Sequence, residues 1–214
     1  MKETKELKRT ANSVTNQGSH LIKNRKVAML TKSALFAALA TIIMYFEFPL
    51  PFMPPFLKVD LSGIVILMAA FMLGCPQAVM INAVKDLIHL MSTGTGGVGE
   101  LADFLVISTF AVIAGLIYKN HKDKKHALIG LVWASIAMTF AGMLANKFLL
   151  IPFFSKVMPI EAIISACAKL NPFIGDINTY IVFGAGPFNL IKAIIISVLT
   201  WLLYKRVSNI IHKI

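Results

Sequence analysis

Charge is scarce in this sequence: Asp, Glu, Lys and Arg make up 14% of its 214 residues, where soluble domains carry about 25%. Acidic residues are the scarcer kind, 10 against 21 Lys and Arg, so this sparse set still leaves a formal net charge of +11. Only two cysteines occur, Cys75 and Cys167, in neither a metal-ligand nor a C-x-x-C spacing, which excludes a disulfide-stapled secreted scaffold. No G-x-x-x-x-G-K-[ST] phosphate loop, H-E-x-x-H or G-x-S-x-G motif is present, nor any metal-spaced His cluster. The chain therefore cannot hydrolyse ATP by the phosphate-loop route, and nothing in it argues for a membrane enzyme. Basic character often points to nucleic acid, but that requires a folded polar surface to carry the charge, and this chain has little of one.

What the chain has in excess is apolar residues, 57% of the total. A transmembrane helix takes about 20 of them, so composition alone supplies five or six spans joined by short loops. Residues 1–26 are polar and carry Lys2, Lys5, Lys8, Arg9, Lys23, Arg25 and Lys26. They read as a basic, disordered cytoplasmic tail ahead of a membrane domain over 27–214. The run from Val27 to Phe48 reads as helix 1 rather than a cleaved signal, because the small-residue triplet Ala38-Leu39-Ala40 lies in its middle. The stretch from Leu57 to Met91 is too long for one span and breaks at Gly74-Cys75-Pro76, giving two short helices. Further helices are expected over Glu100 to Tyr118, Ala127 to Leu150 and Pro187 to Tyr204, with a short interfacial helix from Pro159 to Lys169.

Lysine and arginine set the orientation. With both termini cytoplasmic, fourteen of them fall inside: the tail's seven, Lys119, Lys122, Lys124, Lys125, and Lys205, Arg206, Lys213. Only Lys58, Lys156 and Lys169 fall outside. Two basic ends require an even number of spans, so the expectation is an all-α integral membrane protein with six transmembrane helices and N- and C-termini cytoplasmic. Cys75 and Cys167 then lie on opposite sides and cannot pair.

An ionisable group facing lipid at mid-bilayer costs about 2.5–3.5 kcal/mol, so such groups face a bundle interior or a watered cavity. Lys32, one turn into helix 1, can snorkel to the cytoplasmic headgroups. The others gather at the outer ends of four helices: Lys85, Asp86 and His89; Glu100 and Asp103; Asn146 and Lys147; Asn189 and Lys192. Glu100 with Asp103, and Asn189 with Lys192, share helix faces by their spacing of three. A polar pocket open to the outside is expected there, with Lys85, Asp86 and Lys147 either lining it or forming structural ion pairs. The run Gly94-Thr95-Gly96-Gly97-Val98-Gly99 formally fits G-x-G-x-x-G but lies between membrane helices, not between a strand and a helix, so a dinucleotide site is excluded. It can instead offer backbone N–H groups beside Glu100. Tyr45, Phe46, Phe48, Phe52 and Phe56 surround a proline-rich loop, as an interfacial belt or as a stacking surface under a lid. On helix 1, Ser33, Ala34, Ala37, Ala38 and Thr41 make a small-residue strip for close helix approach, either within the chain or to another protein.

Three features together resemble the riboflavin-specific substrate-binding subunits (S components) of energy-coupling factor (ECF) transporters. They are Ala34-x-x-x-Ala38, Pro55-Phe56-Leu57-Lys58-Val59-Asp60-Leu61-Ser62 entering helix 2, and Gly96-Gly97-Val98-Gly99-Glu100-Leu101 entering helix 4. The similarity runs from about Lys26 to the C-terminus; after Ser62 this chain has Gly63, Ile64 and Val65 where the family often has Asp and Pro. The resemblance implies a cell-membrane, multi-pass subunit that is not an enzyme and needs no cofactor. It would capture a vitamin outside and dock through Ala34 and Ala38 on a transmembrane coupling subunit driven by two cytoplasmic ATP-binding subunits. It further implies that Asn189 and Lys192 meet the flavin's polar parts, with Glu100, Asp103, Gly97 and Gly99 nearby, Asn146 opposite, and Tyr45 and Phe46 at the ring. Another vitamin, thiamine or pantothenate, or a stand-alone secondary carrier, are the alternatives at this point.

Overall fold

The computed structural model describes residues 25–50, 57–157 and 159–211. The basic tail falls, up to residue 24, outside the described residues, as does the tip of the proline-rich loop, 51–56.

Four helices are long and apolar enough to cross a membrane: Arg25–Met44, Val98–Asn120, Lys124–Phe154 and Ile177–Tyr204. The first is α1. A two-residue antiparallel pair, β1 (Phe48–Pro49) and β2 (Lys58–Val59), follows it with Phe48 opposite Val59, an addition to the all-helical expectation. The short helices α2 (Ser62–Met72) and α3 (Cys75–His89) meet at Gly74, whose φ of +100° is open to glycine and hostile to side chains. Pro76 then sits in the first turn of α3, where its missing N–H costs nothing. Next come α4 (Val98–Asn120), α5 (Lys124–Ala145) and, through a π-helical segment Asn146–Leu150, α6 (Ile151–Phe154). The short interfacial helix expected from Pro159 to Lys169 is α7 (Ile160–Leu170), with Ile163 and Cys167 buried.

The last span corrects the sequence reading. Pro187 does not start it; the helix begins ten residues earlier as α8 (Ile177–Tyr180), passes through a π segment Ile181–Ala185 and continues as α9 (Gly186–Ile211). The true start signal is Asp176, whose side chain accepts from the Thr179 N–H in a reciprocal capping box. Pro187 survives inside the helix because its lost N–H is replaced. The Phe183 carbonyl, four residues earlier, accepts instead from the Asn171 side chain at 3.1 Å.

Helix α2 is apolar all round and lies at the centre, with nine of its eleven residues buried against α3, α4 and α9. Around it α4 packs on α3 and α5, and α5 on α9. The contacts are rich in alanine: Ala37 and Ala40 of α1, Ala111 and Ala114 of α4, Ala134 of α5 and Ala193 of α9 are all in the core, the small-residue packing that lets helix backbones approach in lipid. The outward faces carry large apolar side chains at helical spacing, such as Trp133, Ile136, Phe140 and Leu144 on α5. An apolar surface of that extent has no place in water.

The helix 1 strip divides. Ser33, Ala37 and Thr41 turn into the bundle, while Ala34 and Ala38 are exposed on its outer face. Cys75 and Cys167 are both free thiols.

Candidate functional site

A cavity of about 500 Å³ opens at one end of the bundle, the end that carries the β1–β2 hairpin and the glycine-rich loop. The opposite end is closed by Phe71, Tyr118 and Tyr204, whose rings pack together, with the two tyrosine hydroxyls 3.0 Å apart.

Two kinds of wall meet in the cavity. Leu57, Val106, Leu150, Phe154 and Phe188 are apolar; Asp60, Glu100, Asp103, Asn146, Asn189 and Lys192 are not. Of the residues anticipated as ligand contacts, Asn189, Lys192, Glu100, Asp103, Gly99, Asn146 and Tyr45 line it. Gly97 and Phe46 do not. Gly97 takes a φ of +90° at the cap of α4, and Phe46 is 72% exposed.

The charges are organised as a closed ring. Lys192 Nζ donates to Asp60 Oδ2 and to Asp103 Oδ1, each at 2.9 Å. The other oxygen of Asp60 accepts from both the backbone N–H and the hydroxyl of Ser62. Ser62 Oγ accepts from Lys85 Nζ at 3.3 Å, and Lys85 Nζ donates at 2.6 Å to Asp103 Oδ2. Two lysines and two carboxylates thus balance, which lets four charged groups sit inside an apolar bundle. Burial opposes ionisation of Asp60, but Lys192, Lys85 and Ser62 outweigh it and hold that carboxyl well below the usual range. Asp86 stands outside the ring, 3.1 Å from Lys85, and neither of its buried oxygens accepts a hydrogen bond among the described residues.

The remaining polar groups are oriented with similar care. Glu100 Oε1 lies 2.9 Å from His89 Nδ1, and Oε2 accepts from Thr95 Oγ1 at 3.0 Å. Thr95 Oγ1 in turn accepts from the Gly99 N–H, so the glycine-rich loop is tied to the start of α4. The Tyr45 ring packs tilted against His89 with centroids 5.3 Å apart, joining the end of α1 to the end of α3.

Asn146 donates to the Gly142 carbonyl and accepts from the Tyr180 hydroxyl, both at 2.9 Å. Asn189 donates to the Ala185 carbonyl at 2.8 Å, and its own side-chain oxygen accepts nothing among the described residues. That oxygen and the second amide hydrogen remain available to a ligand.

Three of the lysines and acids raised by sequence are now separated. Lys85 is wholly buried in the ring and Asp86 is its neighbour, so both are structural ion-pair members, and neither lines the cavity. Lys147 points away, exposed beside the Phe148 ring. Sequence reasoning did not single out Asp60, Ser62, His89's partner role or Thr95 as site residues. Charge counting could have found Asp60, since Lys85 and Lys192 need two deprotonated partners among the few acids present.

The chain matches known proteins along most of its length. Residues 28–204 match the family described as ECF transporter, substrate-specific component. The chain is 32% identical over 181 residues to the riboflavin transporter RibU of Staphylococcus aureus, covering 85% of this chain and 90% of that one. It is 25% identical over 191 residues to the riboflavin transporter FmnP of Bacillus subtilis, covering 88% and 96%. A solved structure of the S component of a bacterial ECF transporter superposes with a TM-score of 0.69 at 30% identity, covering 86% of this chain and 98% of that one. These relatives are transport proteins rather than enzymes, and their membership in a membrane transporter family accords with the four span-length helices.

Proposed function

The chain belongs to the family of ECF-transporter substrate-specific components, and on that premise we propose that it captures riboflavin from outside the cell in this cavity. The observation that carries the assignment is Asn189, whose open carbonyl oxygen and amide N–H stand beside Lys192 in a cleft with one apolar and one polar wall. A flavin matches that arrangement. Its imide edge pairs donor to acceptor with an amide, its ring fills the apolar wall, and its ribityl hydroxyls suit Lys192, Glu100 and Asp103. The cavity volume lies within the roughly 300–1,000 Å³ usual for small-molecule sites. A ligand lacking those polar groups would leave buried donors and acceptors unpaired, at about 1–3 kcal/mol each.

In this reading α2 and α3 are the second and third of six spans. At about 1.5 Å per residue each is shorter than the hydrocarbon layer. Burial of α2 among its neighbours supports a short span, because such a helix need not match the bilayer itself. The cavity end bears Lys58, Lys156 and Lys169, the opposite end the Lys119–Lys125 cluster, and the positive-inside rule makes the cavity end external and both termini cytoplasmic. Lacking a phosphate loop, the chain draws on partners for energy: Ala34 and Ala38, exposed on α1, dock on a coupling subunit in the cell membrane powered by two ATP-binding subunits.

Titrating the purified protein with riboflavin tests the assignment. Quenching of flavin fluorescence at one site per chain is expected. Binding of thiamine or pantothenate in its place, with no flavin quenching, would overturn it.

A further inference from the structure

We infer that Lys85, which touches no part of the cavity, is a positioning residue for Lys192. It clamps the far oxygen of Asp103 and, through the Ser62 hydroxyl, the far side of Asp60, so that Lys192 is held between two immobile carboxylates with one N–H left over for ligand.

The argument is geometric. An ammonium has three donors. Lys192 commits two, to Asp60 and Asp103, which leaves one for a ligand in the cavity that Lys192 lines. A lysine on a four-carbon stem has no directional preference of its own, so its aim is set by the two acceptors. Each acceptor is a carboxylate with one oxygen on Lys192 and the other fixed elsewhere, Asp60 by Ser62 and Asp103 by Lys85. Lys85 reaches both anchors at once and is 0% exposed, donating to Asp103 and Ser62 with the Asp86 carboxylate 3.1 Å from its ammonium. It is absent from the cavity lining, so its ammonium does not face a ligand there. The ring draws together α2, α3, α4 and α9, so one closed network sets the cavity floor across four helices.

This inference rests on the reading that Lys192 meets the flavin, and the experiment separates the two. Riboflavin affinity is measured by fluorescence quenching for Lys192→Met, Lys85→Met, the double variant, Ser62→Ala, and Lys85→Met combined with Asp86→Asn. Lys192→Met should weaken binding about tenfold or more, and Lys85→Met by a similar factor, with the double variant no weaker than Lys192→Met alone, since both act through one group. Ser62→Ala keeps all four charges and opens the ring; binding about threefold or more weaker is expected. Adding Asp86→Asn to Lys85→Met restores the net charge but not the ring, so binding should stay weak. Recovery to the parent affinity there would show that Lys85 acts by charge alone and would overturn the inference. So would parent-like affinity in both Lys85→Met and Ser62→Ala, or strictly additive losses in the double variant. If Lys85→Met fails to fold, Ser62→Ala decides: unchanged affinity in that folded variant rejects the clamp. An unchanged Lys192→Met would reject the ligand contact itself, and the clamp with it.

Discussion

The amide of Asn189 lies against the α-carbon of Gly142, in space that any side chain at position 142 would occupy. Helix α5 thus yields room for the group that offers its open oxygen to a ligand, and the site requires glycine at this position in the span. Gly142→Ala should push Asn189 off its present orientation and weaken riboflavin binding about tenfold, at a stability cost of about 1–3 kcal/mol for overpacking. Fluorescence titration and a thermal melt read the two effects separately. Unaltered affinity in a folded variant would show that Asn189 does not address the ligand.

Asn189→Ala and Lys192→Ala should both lower flavin affinity about tenfold or more, yet differ in stability. Asn189 forms its one hydrogen bond within its own helix, so its removal changes the melting temperature little. Removing Lys192 strips Asp60 and Asp103 of a shared counter-charge and costs about 3–5 kcal/mol in typical buried pairs. Equal melting temperatures for the two variants would contradict the ring.

Substituting Ala34 and Ala38 by leucine should leave flavin binding intact and abolish uptake in cells, because both residues are exposed on α1. Ala37→Leu and Ala40→Leu, by contrast, enlarge residues packed in the core and should lower the melting temperature. Normal uptake by the Ala34 and Ala38 variant would remove that face as the docking surface.

Tyr118→Phe breaks the hydroxyl pair with Tyr204 at the end of the bundle away from the cavity. Hydrogen bonds between membrane helices average about 0.6 kcal/mol, so a small loss of stability is expected with riboflavin affinity unchanged. A loss of affinity would mean that the two ends are coupled.

Local chemistry was readable wherever a break has its own signature. Gly74 and Pro76 mark the turn between α2 and α3 because a positive φ and a missing N–H are properties of those two residue types. Pro187 misled for the same reason: proline usually opens a helix, and the Asn171 side chain that relieves it sixteen residues away in sequence leaves no periodic trace. The convergence of Asn146, Asn189, Lys192, Glu100 and Asp103 at one level followed from counting residues along antiparallel spans. Their partners did not. Asp60 stands 132 residues from Lys192, and only packing brings them to 2.9 Å.

Sequence by itself determined that this chain lives in a membrane, how its ends are charged, which polar residues share a level, and its resemblance to ECF substrate-binding subunits, since these depend on composition, spacing and short motifs. Tertiary structure alone decided which lysine faces the cavity, which is sealed behind it, and which alanines of α1 face outward. The physical reason is that a charge in an apolar bundle is defined by its partners, and partners are chosen by how helices pack rather than by where residues stand in the chain.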